Sequence, residues 1–172
     1  MSKTENHPLD RAVHYVIAHS VATELGKTKL NKVLWWADVE HYRRYGHSIT
    51  RLDSYSRLQH GPVPHSINMS LNRLVENNKI SIPLERATYA VFEIQPLAGI
   101  SPDCFKPSEI ECLQEAIRHV TNMTAQEASN ETHDPLWEEI GLGCDISIGA
   151  ASIRALEIDQ EDLEWANELQ EL

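Results

Sequence analysis

Apolar positions recur at helical spacing through most of the chain and alternate at strand spacing in one short stretch. A first helix is predicted to open at Pro8, since a first helical position has no intrahelical partner for an amide hydrogen and loses nothing by lacking one. Leu9, Ala12, Val13, Val16, Ile17 and Ser20 then recur at helical spacing. Gly26 interrupts the pattern. A second helix follows over Lys27–Tyr45, closed by Gly46, which accepts a left-handed backbone without strain. This helix has two apolar faces. Leu30, Val33, Leu34, Ala37, His41 and Tyr45 share one, and Trp35, Val39 and Tyr42 share the other. A surface helix shows one apolar stripe, so two predict a central helix covered on both sides, or one that offers aromatic surface to a partner.

Residues 48–63 read as loop with short extended pieces. Gly61-Pro-Val-Pro64 forbids a helix there, because each proline drives the residue before it into an extended conformation. Pro64 is expected to open a helix over 65–77, with Ile67, Leu71, Leu74 and Val75 inward. Strands at 80–84 and 89–94 then form a hairpin around a turn at 85–88. Pro107 starts a further helix, in which Ser108 and Glu111 have capping-box spacing and Ile110, Leu113, Ile117 and Val120 make the buried stripe. Thr124 and Glu127 repeat that spacing ahead of a short helix. Gly141, Gly143 and Gly149 loosen the chain after Trp137, and a last amphipathic helix is expected from about Asp159, with Trp165, Leu169 and Leu172 on one side. The expected class is mainly α within α+β: a compact helical domain with one small β-hairpin, in a helix–hairpin order like that of a winged helix.

At 172 residues, 41% of them hydrophobic, the chain can bury the core of one domain. Its net charge of −11 argues against a general nucleic-acid coat, which needs clustered positive charge. The charge is uneven: residues 1–80 sum to +4, residues 81–172 to −15, and residues 155–172 hold seven acids and no base. No apolar run approaches the roughly 18 residues of a membrane span, and the polar start lacks a secretory core, so a cytoplasmic location is expected. Three cysteines without a C-x-x-C read as reduced thiols.

The search for chemistry finds no Gly-rich phosphate cradle, no H-E-x-x-H and no G-x-S-x-G elbow. Asp38 and His41 share a helical face, and a fold that brought His133 and Asp134 to them would make a metal site. Structural and surface histidines explain the set better, so no catalytic residue, cofactor or metal is expected.

Taken together, Lys29-Leu-Asn-Lys-Val-Leu-Trp-Trp-Ala-Asp38, His41-Tyr-Arg-Arg-Tyr-Gly46 and Ile49-Thr50 resemble the signature helix of the Panacea domain, the SocA-like antitoxin domain. Tyr55 and Gly61-Pro-Val-Pro64 continue the likeness. Ala128-Ser129 and Thr132-His-Asp-Pro-Leu-Trp137 are similar to the family's closing motif, so that the resemblance covers about residues 8–140. Trp35-Trp36 stands where Tyr or Phe would be usual. The resemblance implies a non-enzymatic antitoxin of a bacterial or prophage-borne toxin–antitoxin pair. Such a protein neutralises its toxin by direct contact, in some members as an adaptor to a protease.

Lys29, Leu30, Leu34, Ala37, Gly46, Gly61, Pro62, Val63, His133 and Trp137 belong to the motif and are expected to be structural. Trp35, Trp36, Tyr42, Arg43 and Trp165 are the candidate toxin contacts, because aromatic and arginine side chains dominate interface hot spots. The expected division is a Panacea-like domain at 1–143 and an acidic C-terminal extension with an amphipathic helix at 144–172. Two alternatives stand beside the antitoxin: a winged-helix-like DNA-binding regulator, favoured by the positive first half, and a metal-dependent enzyme using His41, His133 and Asp134. No N-terminal DNA-binding extension of the kind some relatives carry is recognisable, so DNA is not an expected partner.

Overall fold

The computed structural model describes residues 7–21, 25–82, 94–133 and 135–154. In chain order these form α1 (Pro8–His19), α2 (Lys27–Tyr45), β1 (Ser54–Leu58), β2 (Gly61–Pro64), α3 (Ile67–Glu76), β3 (Ile80–Ser81) and β4 (Gln95–Pro96). A 3-10 turn (Pro102–Cys104) precedes α4 (Pro107–Thr121), α5 (Ala125–Glu131), α6 (Pro135–Glu139), β5 (Asp145–Ser147) and α7 (Ile148–Arg154). The mainly helical α+β class is the one the periodicity predicts.

The two apolar faces of α2 explain its place. It packs against α1, α4, α5, α7 and β2, with Leu30, Val33, Leu34 and Ala37 buried on one face and Trp35 and Val39 on the other. The apolar members of the α1 stripe are buried as well, while Ser20, at the C-cap, is partly exposed. Asp10 of α1, also buried, accepts a two-pronged bond from Arg73 of α3 at 2.6 and 2.7 Å, which fixes the register of that helix pair.

The stretch read as loop with short extended pieces holds β1 and most of β2, which join β5 in a three-stranded antiparallel sheet of order β2-β1-β5, with Tyr55 facing Pro64 on one side and Ile146 on the other. Pro62 and Pro64 are compatible with β2 because it is an edge strand, where missing amide donors leave no ladder bond unmade. Pro64 therefore ends a strand, and α3 begins three residues later, after Ser66 at φ 62°. Downstream, Ile80 pairs with Pro96 and Ser81 with Gln95, one step past the expected strand at 89–94. Residues 83–93 lie outside the described residues, as do the expected last helix and Trp165. The chain after Gly143 is part of the packing: β5 joins β1, and α7 lies on α2.

Caps follow local chemistry. Glu109, not Glu111, closes the start of α4 by accepting from the Lys106 amide at 2.9 Å, since Pro107 is the first helical residue and Glu109 the third. Thr124 and Glu127 form the expected reciprocal cap of α5, at 3.1 and 2.7 Å. Among the described residues no helix is long and apolar enough to cross a membrane.

Candidate functional site

Lys32 lies three residues before Trp35 and seven before Val39, in register with the second apolar face of α2, and it is 1% exposed. An isolated buried ammonium is costly, so its surroundings must answer it. The amine donates to the His60 carbonyl and, at 2.7 Å, to the Thr132 hydroxyl. Thr132 in turn donates to the Ser129 carbonyl and the Ser129 hydroxyl to the His60 carbonyl, each at 2.9 Å. One point thus ties α2, the β1–β2 turn and the end of α5. Gly61 makes room for it. Its φ is +112°, and a Cβ there would stand 1.7 Å from the amine nitrogen and 2.6 Å from Thr132 Oγ1.

Burial lowers the Lys32 amine from 10.5 to about 7. A depressed lysine favours its neutral form in the folded chain, while the unfolded chain keeps the proton up to its ordinary pKa. Between about pH 7 and 10.5 the unfolded state binds more protons, so this group makes stability rise with pH across that window. We expect Lys32→Met to flatten that rise, by roughly 1 kcal/mol per pH unit at most. Urea unfolding at pH 7, 8 and 9 measures it, and equal slopes in the two proteins would mean that the folded amine stays charged.

Beside this junction, His133 stacks on Trp137 at 3.7 Å between ring centres and 13° between planes. The Arg57 guanidinium lies 3.8 Å from the same indole centre, and its Nε donates to the Trp137 carbonyl at 2.8 Å. Two groups this close to one ring must take opposite faces. The column clamps α6 to β1. Burial, then the nearby positive charge of Lys32 and Arg57, pulls the His133 pKa down.

Farther along α2, Asp38 is fully buried. It accepts from the amides of Ile49 and Thr50 at 2.8 and 3.0 Å, from the Tyr55 hydroxyl at 2.8 Å and from the Thr50 hydroxyl. Burial pushes the carboxyl up to about 6 against the pull of these four donors, leaving it ionised at neutral pH. One turn on, the Nδ1–H of buried His41 donates to the His47 carbonyl at 2.7 Å, so Nε2 of the neutral ring accepts from Ser108 at 3.3 Å.

The candidate contacts separate. Trp36 is half-buried and meets His119 edge-on at 4.7 Å. With Cys112 and Ala116 it floors a groove between α2 and α4, rimmed by Glu40 and Glu115. Arg44 crosses the rim, 2.5 Å from Glu40 and 2.9 Å from Glu115, and Arg43 also bonds Glu40, at 3.0 Å. The Cys112 thiol, raised to about 11 by burial, is inert. Trp35 is buried, edge-on to Tyr55 at 5.2 Å. Tyr42 is partly buried, its hydroxyl near Gly149. Among the motif residues, Lys29 reaches the Thr121 carbonyl at 3.4 Å, and Leu30, Leu34 and Ala37 are core. Gly46 caps α2 at φ 75°, while Pro62 and Val63 lie in β2.

The proposed metal set does not assemble among the described residues. His41 sits with His47 and Ser108, His133 with Trp137 and Ser129, and Asp134 lies outside them. Lys32, Ser129 and Thr132 stand within the motif segments quoted from the sequence but, like Arg57, were not among the candidate contacts or the residues expected to be structural. For Lys32 the signal was its register with Trp35, Val39 and Tyr42; a basic residue on an apolar face marks a buried amine with partners.

A family model described as "Antitoxin SocA-like, Panacea domain" matches residues 30–138, from the first turn of α2 into α6, and so includes the whole Lys32 junction. No curated protein and no solved structure matches the chain.

Proposed function

Because the chain belongs to the SocA-like antitoxin family built on the Panacea domain, we propose that it neutralises a cognate protein toxin by binding it directly in the cytoplasm. The observation that carries this reading is the extent of the family match, which takes in the central helix and all the elements tied by Lys32. The polar clusters of the site favour a binding scaffold. Lys32 and Asp38 are buried and occupied by the protein's own donors and acceptors, holding the backbone rather than facing an open cleft. Of the aromatic candidates among the described residues, Trp36 is set in a surface groove, with Arg43 bonded to its rim at Glu40; Trp35 supports the helix from beneath.

The test is expression of the adjoining gene with and without this chain. Restored growth, together with a purified complex of the two proteins, is the expected result. Growth arrest that persists at matched expression would refute the reading. The toxin's half-life during rescue separates two mechanisms: occlusion leaves it unchanged, and delivery to a protease shortens it.

A further inference from the structure

We propose that the groove between α2 and α4 receives a basic segment of the toxin, with one apolar side chain of that segment seated on Trp36, Cys112 and Ala116; this rests on the antitoxin reading. The floor is apolar and aromatic, yet nothing among the described residues accepts a hydrogen bond from the Trp36 indole N–H. An indole that becomes buried needs an acceptor for that group, and a seated peptide backbone supplies one.

Charge beside the groove sets the sign of the partner. On the α2 side, Arg43 and Arg44 are both held by Glu40, and Arg44 also by Glu115. On the α4–α5 side Glu115 lines the groove; next to it Glu111 lies within electrostatic reach of Cys112, and Glu131 is bonded to the lining His119 at 2.9 Å, with Arg118 as the basic residue of that stretch of α4. Glu111 is exposed and has no ion-pair partner among the described residues. Since the arginines already answer Glu40 and Glu115, the charges left to an occupant are Glu111 and Glu131, which a lysine or arginine would pair and a carboxylate would oppose. Rim charge of this kind acts on association, and the buried anchor acts on dissociation.

Binding of the purified product of the adjoining gene is followed by surface plasmon resonance at low and high salt. Trp36→Ala should speed dissociation by about 30-fold, the equivalent of a hot-spot loss near 2 kcal/mol. Glu111→Lys with Glu131→Lys should slow association about tenfold at low salt, and the effect should fade at high salt. Unchanged rates in folded variants, with wild-type binding intact, would overturn the groove and leave the antitoxin reading standing. Wild-type protein that binds no toxin would overturn both. Should Trp36→Ala fail to fold, the exposed Glu111 and Glu131 pair decides the matter.

Discussion

Replacing Asp38 by alanine is expected to destabilise the protein by about 4 kcal/mol or more, since each buried donor left without an acceptor costs roughly 1–3 kcal/mol. Four donors from Ile49, Thr50 and Tyr55 converge on this carboxylate, and it is 0% exposed. A folded domain has only about 5–15 kcal/mol in hand, so the variant should sit close to unfolding at 37 °C. Asp38→Asn should cost nearly as much, because its amide turns donors towards donors. Tyr55→Phe removes one donor and leaves the carboxylate with the others, so a loss of only about 1 kcal/mol is expected there. Urea unfolding of the three variants gives the ordering. An Asp38→Ala protein no less stable than Tyr55→Phe would show that the segment from Gly46 to Tyr55 is held by something other than this acid.

The parts of the fold that were legible in sequence are those whose signal is local. The stripes of α1 and α4 repeat every three or four residues, and the double face of α2 announced its central place without reference to any other element. The β1–β2–β5 sheet carried no such signal. β2 holds two prolines, which locally read as breakers and are admissible only because the strand is an edge. β5 is three residues long and meets β1 from 91 positions away. The cap of α4 shows the same division: two glutamates stood within reach, and the helix start at Pro107 chose Glu109.

At the site, the motif residues could be read off the chain but their joint purpose could not. Lys32 stands in a run with Lys27 and Lys29 that resembles solvated charge. Its register with Trp35 and Val39 points inward, but the groups that receive the amine are His60, 28 positions on, and Thr132, 100 positions on. Charge placement at Trp36 is similar, since the groove needs α4 beside α2 before its rim exists.

The closest packing at the junction leads to the second large effect. Gly61→Ala is expected to cost about 2–6 kcal/mol, the sum of two causes. A φ of +112° is strained for any L side chain, and such backbone strain is worth about 1–3 kcal/mol. The new Cβ would also occupy the place of the Lys32 amine, and overpacking of a filled interior adds about 1–3 kcal/mol. Lys32 can retreat only by giving up His60 and Thr132, which leaves a buried amine without its acceptors. A double-mutant cycle divides the two causes. The Met side chain is one atom shorter than Lys, so in Lys32→Met protein the 1.7 Å contact with the amine is gone while the backbone strain and the contact with Thr132 remain. Gly61→Ala should then cost about 1–2 kcal/mol less than in the wild type, a coupling of the size expected between touching residues. Equal costs in both backgrounds would assign the effect to the backbone and the Thr132 contact, with no share for the Lys32 amine. No cost in either would mean that the β1–β2 turn does not press on the Lys32 amine.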